Sequence, residues 1–187
     1  MNKAYLDEAI LEKQKEILKA TYKTLEDGFY IQNKMIRFER REVIQFYIMI
    51  PTSFINMPQD LLDVKYPSKF GPQIVLTSLD LLVNMGFSIA PSNVWGQDLE
   101  EMTQLVRYTL KKEKAGLNFS EWKKLEKVQG WWFSFRSHGM DNDIFNMLSI
   151  VSVEGKTFQL IFNCPYQNYE EWKIPVLQMW ESIDIIT

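Results

Sequence analysis

Residues 130–163 have the sequence GWWFSFRSHGMDNDIFNMLSIVSVEGKTFQLIFN, and their pattern decides the fold class. Aromatic side chains recur at every second position from Trp131 to Phe135, which is the period of a β-strand. Residues 143–153 and 157–163 form two further apolar runs, and the Glu-Gly pair between them is typical of a tight hairpin turn. This region therefore predicts consecutive antiparallel strands, because parallel strands would need long crossover connections.

The rest of the chain predicts helices and more hairpins. Helices are predicted over residues 1–27 with an end at Asp27-Gly28, over residues 98–112 after a capping Asp98, and from about Ile174 with Pro175 in the first turn. Strands are predicted over residues 29–38, 43–50, 73–77 and 80–89. Helices that cover an antiparallel sheet of this kind give an α+β fold, and parallel doubly wound folds are disfavoured.

The composition excludes several classes of protein. The 187 residues are 46% hydrophobic with a net charge of -3, which argues against nucleic-acid binding because that needs a basic face. A single Cys excludes an intramolecular disulfide and, with a single His, makes a structural zinc site unlike any common type. Residues 1–16 lack the apolar core of a secretory signal, and no segment is apolar enough to span a membrane. We therefore expect a cytoplasmic protein.

Two residues are the candidates for chemistry. His138 lies in a segment that also contains Ser137 and Asp141, so it could act as a general base or hold a metal with Asp141. Polar turns between strands commonly have this composition, and that interpretation is favoured. Cys164 shares the strand face of Phe162 and is expected to be a buried apolar residue rather than a nucleophile. Strand parity predicts that His138 and Cys164 lie on opposite faces or far apart.

The eight glycines are scattered singly along the chain, so no glycine-rich phosphate-binding loop is present. His138 and Cys164 also have no partners at the spacing of a metal-binding motif. We therefore predict no catalytic residues, no bound cofactor and no metal.

The remaining candidates are surfaces for a partner. Trp132 has the opposite parity to Trp131, so it is either covered by the N-terminal helix or part of an exposed apolar patch for a partner. One basic cluster comprises Lys111, Lys112, Lys114, Lys123, Lys124 and Lys127, and a smaller one comprises Arg37, Arg40 and Arg41. Each is a solvated face by default, with docking of an acidic partner as the alternative.

Several landmarks stand out along the chain: residues 130–137, 141–146, Gly155, 162–165, Trp172 and 179–183, together with Tyr66-Pro67, Gly71-Pro72 and Phe87-Ser88 upstream. In these landmarks the sequence resembles the DcrB-like proteins of the PsbP-like superfamily. The resemblance covers about residues 29–185 and consists of turns and core aromatics. It implies α/β/α layers around a central antiparallel sheet, with residues 1–27 as an extra N-terminal helix and residues 29–187 completing a single domain.

The same resemblance implies a function without shared catalytic residues. Relatives serve as envelope-associated proteins, photosystem accessory subunits, a Ran-binding factor and Eag-type chaperones that hold apolar segments of secretion effectors. We therefore expect a non-enzymatic protein-binding, adaptor or chaperone-like module that uses one face or edge of the sheet, with Trp132 as the candidate contact. The alternatives are a small hydrolase or transferase centred on His138, and a binder of small apolar ligands in a cavity under the N-terminal helix.

Overall fold

A computed structural model describes residues 3–67, 71–114, 116–139 and 141–185. The helices are α1 (Lys3–Thr21), α2 (Gln59–Lys65), α3 (Leu99–Glu113) and α4 (Tyr169–Glu181). The strands are β1 (Lys23–Thr24), β2 (Gly28–Ile31), β3 (Lys34–Ile36), β4 (Phe38–Val43), β5 (Phe46–Pro51), β6 (Ile55–Asn56), β7 (Ile74–Thr77), β8 (Asn84–Ile89), β9 (Asn118–Lys124), β10 (Gly130–His138), β11 (Asp143–Val153), β12 (Lys156–Pro165) and β13 (Asp184–Ile185). Among the described residues, no helix is long and apolar enough to cross a membrane.

The main sheet is antiparallel throughout and has the strand order β6-β7-β8-β12-β11-β10-β9. Its centre is the predicted hairpin of β11 and β12, which pair from Val153 with Lys156 to Ile144 with Pro165. Glu154 and Gly155 both have positive φ in the turn, as a tight two-residue hairpin requires. The predicted α+β class is confirmed.

Helix packing makes the sheet a central layer. On one face, α3 covers a core of Leu99, Phe133, Phe135, Leu148 and Ile150. On the other face, α4 buries its Trp172, Val176, Met179 and Trp180 against a larger core that contains Phe158, Leu160 and Phe162. This arrangement is the predicted layering of helices around an antiparallel sheet.

Two small three-stranded sheets complete the α4 side of the molecule. One has the order β1-β2-β3 and the other the order β13-β5-β4. The aromatic rings of Phe46 on β5 and Phe158 on β12 meet edge to face with centroids 5.1 Å apart. The small sheets therefore share the larger core with α4 instead of forming a separate domain.

Helix α1 forms as predicted but ends at Thr21, not at Asp27-Gly28, and residues 1 and 2 lie outside the described part of the chain. Lys19 anchors α1 to α4 through an ion pair of 2.5 Å with Glu171. The apolar residues Ile10, Leu11 and Ile17 remain 50%, 57% and 57% exposed, so the apolar side of α1 faces solvent.

Gly28 opens β2 with φ of +92° instead of ending a helix. A side chain there would place its Cβ 2.6 Å from the carbonyl oxygen of Ile36, so the glycine is needed for a close approach of strands.

Left-handed residues also break three predicted strands. Gln32 and Asn33, with φ of +50° and +60°, divide the predicted strand 29–38 into β2 and β3. The predicted strand 43–50 is divided by Ile44, whose φ of +56° makes a turn between β4 and β5, which pair with each other. Leu81 has φ of +61°, so the predicted strand 80–89 begins only at Asn84.

The start of α4 corrects a further prediction. The helix begins at Tyr169, and Pro175 lies inside it rather than in its first turn. Proline in a helix interior costs about 3 kcal/mol because it removes one hydrogen bond and crowds the preceding turn. Burial of Trp172 and Val176 on either side of the proline offsets that cost, since each large apolar side chain contributes ~1.5–3 kcal/mol when fully buried.

Candidate functional site

The long edge strand of the main sheet is the first component of the candidate site, and the sequence did not reveal it. Strand β9 pairs with β10 on one side only and ends the order of the sheet among the described residues. Phe119 pairs with Phe135 and Trp122 pairs with Phe133, so both lie on the α3 face although they are three residues apart. An extra residue, Ser120, bulges between them and breaks the period of two that strand prediction depends on.

A cleft of about 900 Å³ runs between this edge and α4. We call it the α4 cleft, and its lining includes Lys123, Lys127, Trp132, Lys173, Leu177 and Glu181. Met49 on β5 and Leu25 in the turn between β1 and β2 also line it. The β9–β10 hairpin, α4 and a small sheet thus meet around one concave surface.

Trp132 forms part of the floor of the α4 cleft. It is 3% exposed and belongs to the core beneath α4, so it is not part of a projecting apolar patch, and helix α1 does not cover it. Its strand neighbour Trp131 faces α3 and stacks on Trp122 with ring centroids 4.9 Å apart. A partner can reach Trp132 only by entering the cleft, and its role as a contact stays a prediction.

Ion pairs organise the wall of the α4 cleft. Lys123 lies 3.2 Å from the carboxylate of Glu121, and Lys173 pairs with the other oxygen of the same carboxylate. Partial burial alone would raise the pKa of Glu121, but the hydrogen bonds from Lys173 and Lys123 outweigh it and hold that pKa below its ordinary value. Two ammonium groups therefore share one carboxylate in the wall.

Glu181 closes one end of the cleft by binding the β9–β10 turn. Its carboxylate accepts hydrogen bonds from the backbone N–H groups of Glu126, Lys127 and Val128 at 2.5, 2.6 and 3.0 Å. This contact joins the last turn of α4 to the hairpin and fixes the width of the cleft mouth. Lys127 itself has no ion-pair partner in the described part of the chain.

A second groove of about 600 Å³ lies on the other side of β9. We call it the α3 groove, and its lining includes Leu105, Tyr108, Lys111 and Trp122. Leu105 and Tyr108 are 65% and 66% exposed, which is high for large side chains on a helix that packs on a sheet. The free edge of β9 thus lies between two grooves.

The predicted basic clusters separate into different roles. Of the six lysines, Lys111, Lys112 and Lys114 lie at the end of α3, whereas Lys123, Lys124 and Lys127 lie at the end of β9 and in its turn. The arginines serve the fold: Arg37 donates to the carbonyl of Asp27, Arg40 pairs with Asp184, and Arg41 donates to the carbonyl of Phe54. Only the lysines beside β9 border both a free strand edge and a cleft.

His138 lies at the exposed end of β10. Its Nδ1 is 2.6 Å from Asp143 Oδ1, and its side chain is 65% exposed. Arg136 also pairs with Asp143, and both contacts lower the pKa of that carboxyl, that of Arg136 first. The partner of His138 is thus Asp143 rather than the predicted Asp141.

The two candidate catalytic residues are not assembled into a site. Strand register puts His138 and Cys164 on the same face of the sheet, not on opposite faces, but β11 separates their strands by about 10 Å. Burial raises the pKa of the Cys164 thiol to about 12, so the thiol stays protonated. Ser137 faces α3 instead, where its hydroxyl accepts a hydrogen bond from Asn146 at 2.9 Å. His138 therefore has an orienting carboxylate but no nucleophile beside it among these residues.

Comparisons with solved structures identify the fold. The chain is similar to cyanobacterial PsbP (CyanoP) from Synechocystis sp. PCC 6803, with 16% identity, a TM-score of 0.58, and coverage of 80% of this chain and 92% of that one. It also matches LpqN, involved in cell envelope biogenesis of Mycobacterium tuberculosis, at 12% identity and a TM-score of 0.49 over 87% and 98% of the two chains. A protein of unknown function from Pseudomonas aeruginosa, PA94, matches at 6% identity and a TM-score of 0.49 over 80% and 98%.

No family model matches the sequence, and no curated protein matches it either. At these identities the likeness to CyanoP establishes the fold and nothing further. The resemblance that the sequence landmarks suggested is confirmed at that level.

Proposed function

Taking the PsbP-like fold as the premise, we propose that this chain is a non-enzymatic protein-binding module and that the α4 cleft is its binding site. The observation that carries the proposal is the meeting of three features in one place. A cleft of about 900 Å³, the unpaired outer edge of β9 and Lys127, which has no ion-pair partner among the described residues, adjoin one another. An apolar centre with a polar rim is typical of protein interfaces.

The alternatives have weaker support. A hydrolase or transferase centred on His138 needs a nucleophile within hydrogen-bond reach of the imidazole, and Cys164 and Ser137 are both directed elsewhere. A small-ligand cavity under the N-terminal helix is not supported, because neither the α4 cleft nor the α3 groove includes a residue of α1. A cytoplasmic location stays a prediction, which fractionation of native cells would test.

Site-specific photocrosslinking tests the proposal directly. A photoreactive residue replaces Lys127 at the cleft mouth, and a matched variant carries it at Lys13 on α1, which is also exposed. In native cells we expect a discrete adduct at Lys127 that is missing at Lys13. The crosslinked protein, once identified and purified, should bind the wild-type chain directly and bind Lys127→Glu more weakly. Equal adducts at both positions would refute the assignment of the cleft.

A further inference from the structure

The free edge of β9 defines what kind of segment can bind. Leu125 N–H donates to the carbonyl of Gly130, so the peptide N–H of Leu125 points inward, toward β10. Because such pairs alternate along an antiparallel ladder, Lys123 also bonds inward. The peptide groups of Trp122 and Lys124 then point outward, away from β10. No strand of the described chain covers them.

The two grooves beside β9 supply different chemistry to alternate residues of an added strand. Successive side chains of a strand point to opposite faces, so one set would enter the α3 groove and the other the α4 cleft. The α3 groove offers the exposed apolar surfaces of Leu105 and Tyr108 beside Trp122. The α4 cleft offers the ammonium group of Lys127, which has no ion-pair partner in the described part of the chain, and beside it that of Lys123, which shares Glu121 with Lys173. An apolar residue suits the first, and an acidic residue suits the second.

The lysines also exclude one occupant. Edge strands that carry lysine resist pairing with a second copy, because two copies would bring like charges together. Lys123 and Lys124 occupy consecutive positions at the end of β9, so self-pairing centred on this end of the strand would crowd four ammonium groups. Glu26 and Glu126 also line the α4 cleft, yet they form no ion pair with these lysines in the described part of the chain.

We propose that β9 binds an extended partner segment as an added antiparallel or parallel strand, and that the segment alternates apolar with acidic residues. Backbone hydrogen bonds to Trp122 and Lys124 hold the segment, while the α3 groove and the α4 cleft select its side chains. This inference rests on the proposed function and names the partner class for the same region. The partner is thus a protein with a short acidic β-forming segment.

The binding probe is a blocked eight-residue peptide that alternates Glu and Val, carries a fluorophore and is followed by anisotropy. Its controls are a peptide with the same composition in two blocks, a peptide with Lys in place of Glu, and the alternating peptide with methylated backbone nitrogens. We expect saturable binding of the alternating peptide to the full chain and at least about tenfold weaker binding of each control, because the block peptide loses the alternation, the lysine peptide loses the charge match and the methylated peptide loses the strand hydrogen bonds. Absence of binding by the alternating peptide, or equal binding by the block or lysine peptide, overturns the proposal.

Two substitutions at one position separate the backbone from the side chain. Lys124→Pro removes the outward N–H, whereas Lys124→Ala removes the same ammonium group and keeps the N–H. We expect Lys124→Pro to bind the alternating peptide about tenfold more weakly than Lys124→Ala, with both variants folded by circular dichroism. Equal affinities overturn strand addition.

A second measurement on the wild-type chain tests strand addition even where the proline variant does not fold. Amide exchange of the wild-type chain should slow at Trp122 and Lys124 when the alternating peptide binds, and unchanged exchange there also overturns strand addition. The proposed function is tested separately, by the protein that is crosslinked at Lys127. If that protein binds Lys124→Pro and Lys124→Ala with equal affinity, the protein-binding site is supported and only strand addition is refuted.

Discussion

Glu181 should stabilise the fold and the mouth of the α4 cleft through a single carboxylate. Its two oxygens accept hydrogen bonds from three consecutive backbone N–H groups, those of Glu126, Lys127 and Val128, at 2.5, 2.6 and 3.0 Å. The substitution Glu181→Ala removes both acceptor oxygens, and with them all three hydrogen bonds, while leaving the α4 backbone intact. The turn then has no anchor on α4.

The magnitude follows from those contacts. A hydrogen bond to a charged group contributes ~1.5–3 kcal/mol, but the three donors lie in an exposed turn and water replaces the lost acceptor in the variant. The three contacts are therefore not additive, and we expect Glu181→Ala to lower the free energy of unfolding by about 2 kcal/mol in total. For a chain of this length that corresponds to a fall in melting temperature of roughly 4–8 °C. Glu181→Gln keeps one acceptor oxygen and should lose about half as much.

Chemical denaturation followed by tryptophan fluorescence measures the change, and amide exchange at residues 126–128 locates it. The matched control is Glu126→Ala, which removes a carboxylate from the same turn but leaves its backbone N–H in place. We expect the control to change stability by less than about 0.5 kcal/mol, as is usual for surface substitutions. A loss for Glu181→Ala no larger than that of the control would refute the anchoring role.

Three further outcomes follow from the structure. Gly86→Ala should destabilise the chain by ~1–3 kcal/mol in the same denaturation assay, because the new Cβ would lie 2.7 Å from Pro72 Cγ and 2.8 Å from Ile161 Cγ2; a neutral result would mean that β8 can move away from Pro72. Cys164 should resist labelling by a thiol reagent at about pH 8 and label rapidly in denaturant, since its pKa is raised to about 12; fast native labelling would contradict its burial. Because the pKa of Glu121 is lowered on folding, its carboxylate stabilises the fold above pH 4.5, and this contribution is lost as pH falls through the lower pKa of the folded state. Glu121→Gln should therefore make the free energy of unfolding depend less on pH on the acid side. The same pH dependence in the variant and the wild type would count against this role.

The sequence predicts the parts of this fold in which a single period is maintained. Strands β10, β11 and β12 pair without a shift of register, and α3 begins at Leu99 directly after Asp98, whose Oδ1 accepts from the N–H groups of Glu100 and Glu101 as a helix cap does. Predictions fail where tertiary packing overrides a local rule. Pro175 is retained inside α4 because its neighbours are buried.

Isolated left-handed residues were equally hard to foresee, because Ile44 and Leu81 are of types that rarely adopt positive φ. Their turns divide runs that look like continuous strands. The surrounding sheets hold these residues in place, and that constraint is not visible in a local pattern.

The candidate site was predicted only in part, for a related reason. Trp132 was identified by its parity, but its place in a cleft depends on α4, which is distant in sequence. The edge strand β9 escaped prediction because of one bulged residue. A search that allows spacings of three between aromatic residues, as between Phe119 and Trp122, would have found it.

The bulge at Ser120 also sets how long a segment β9 can hold. Regular pairing on the free edge extends only from Glu121 to Lys124, since the ladder shifts its register at Ser120. At about 3.3 Å per residue, this regular stretch of the free edge is roughly 13 Å long. So few backbone contacts favour rapid release of a bound segment over long residence.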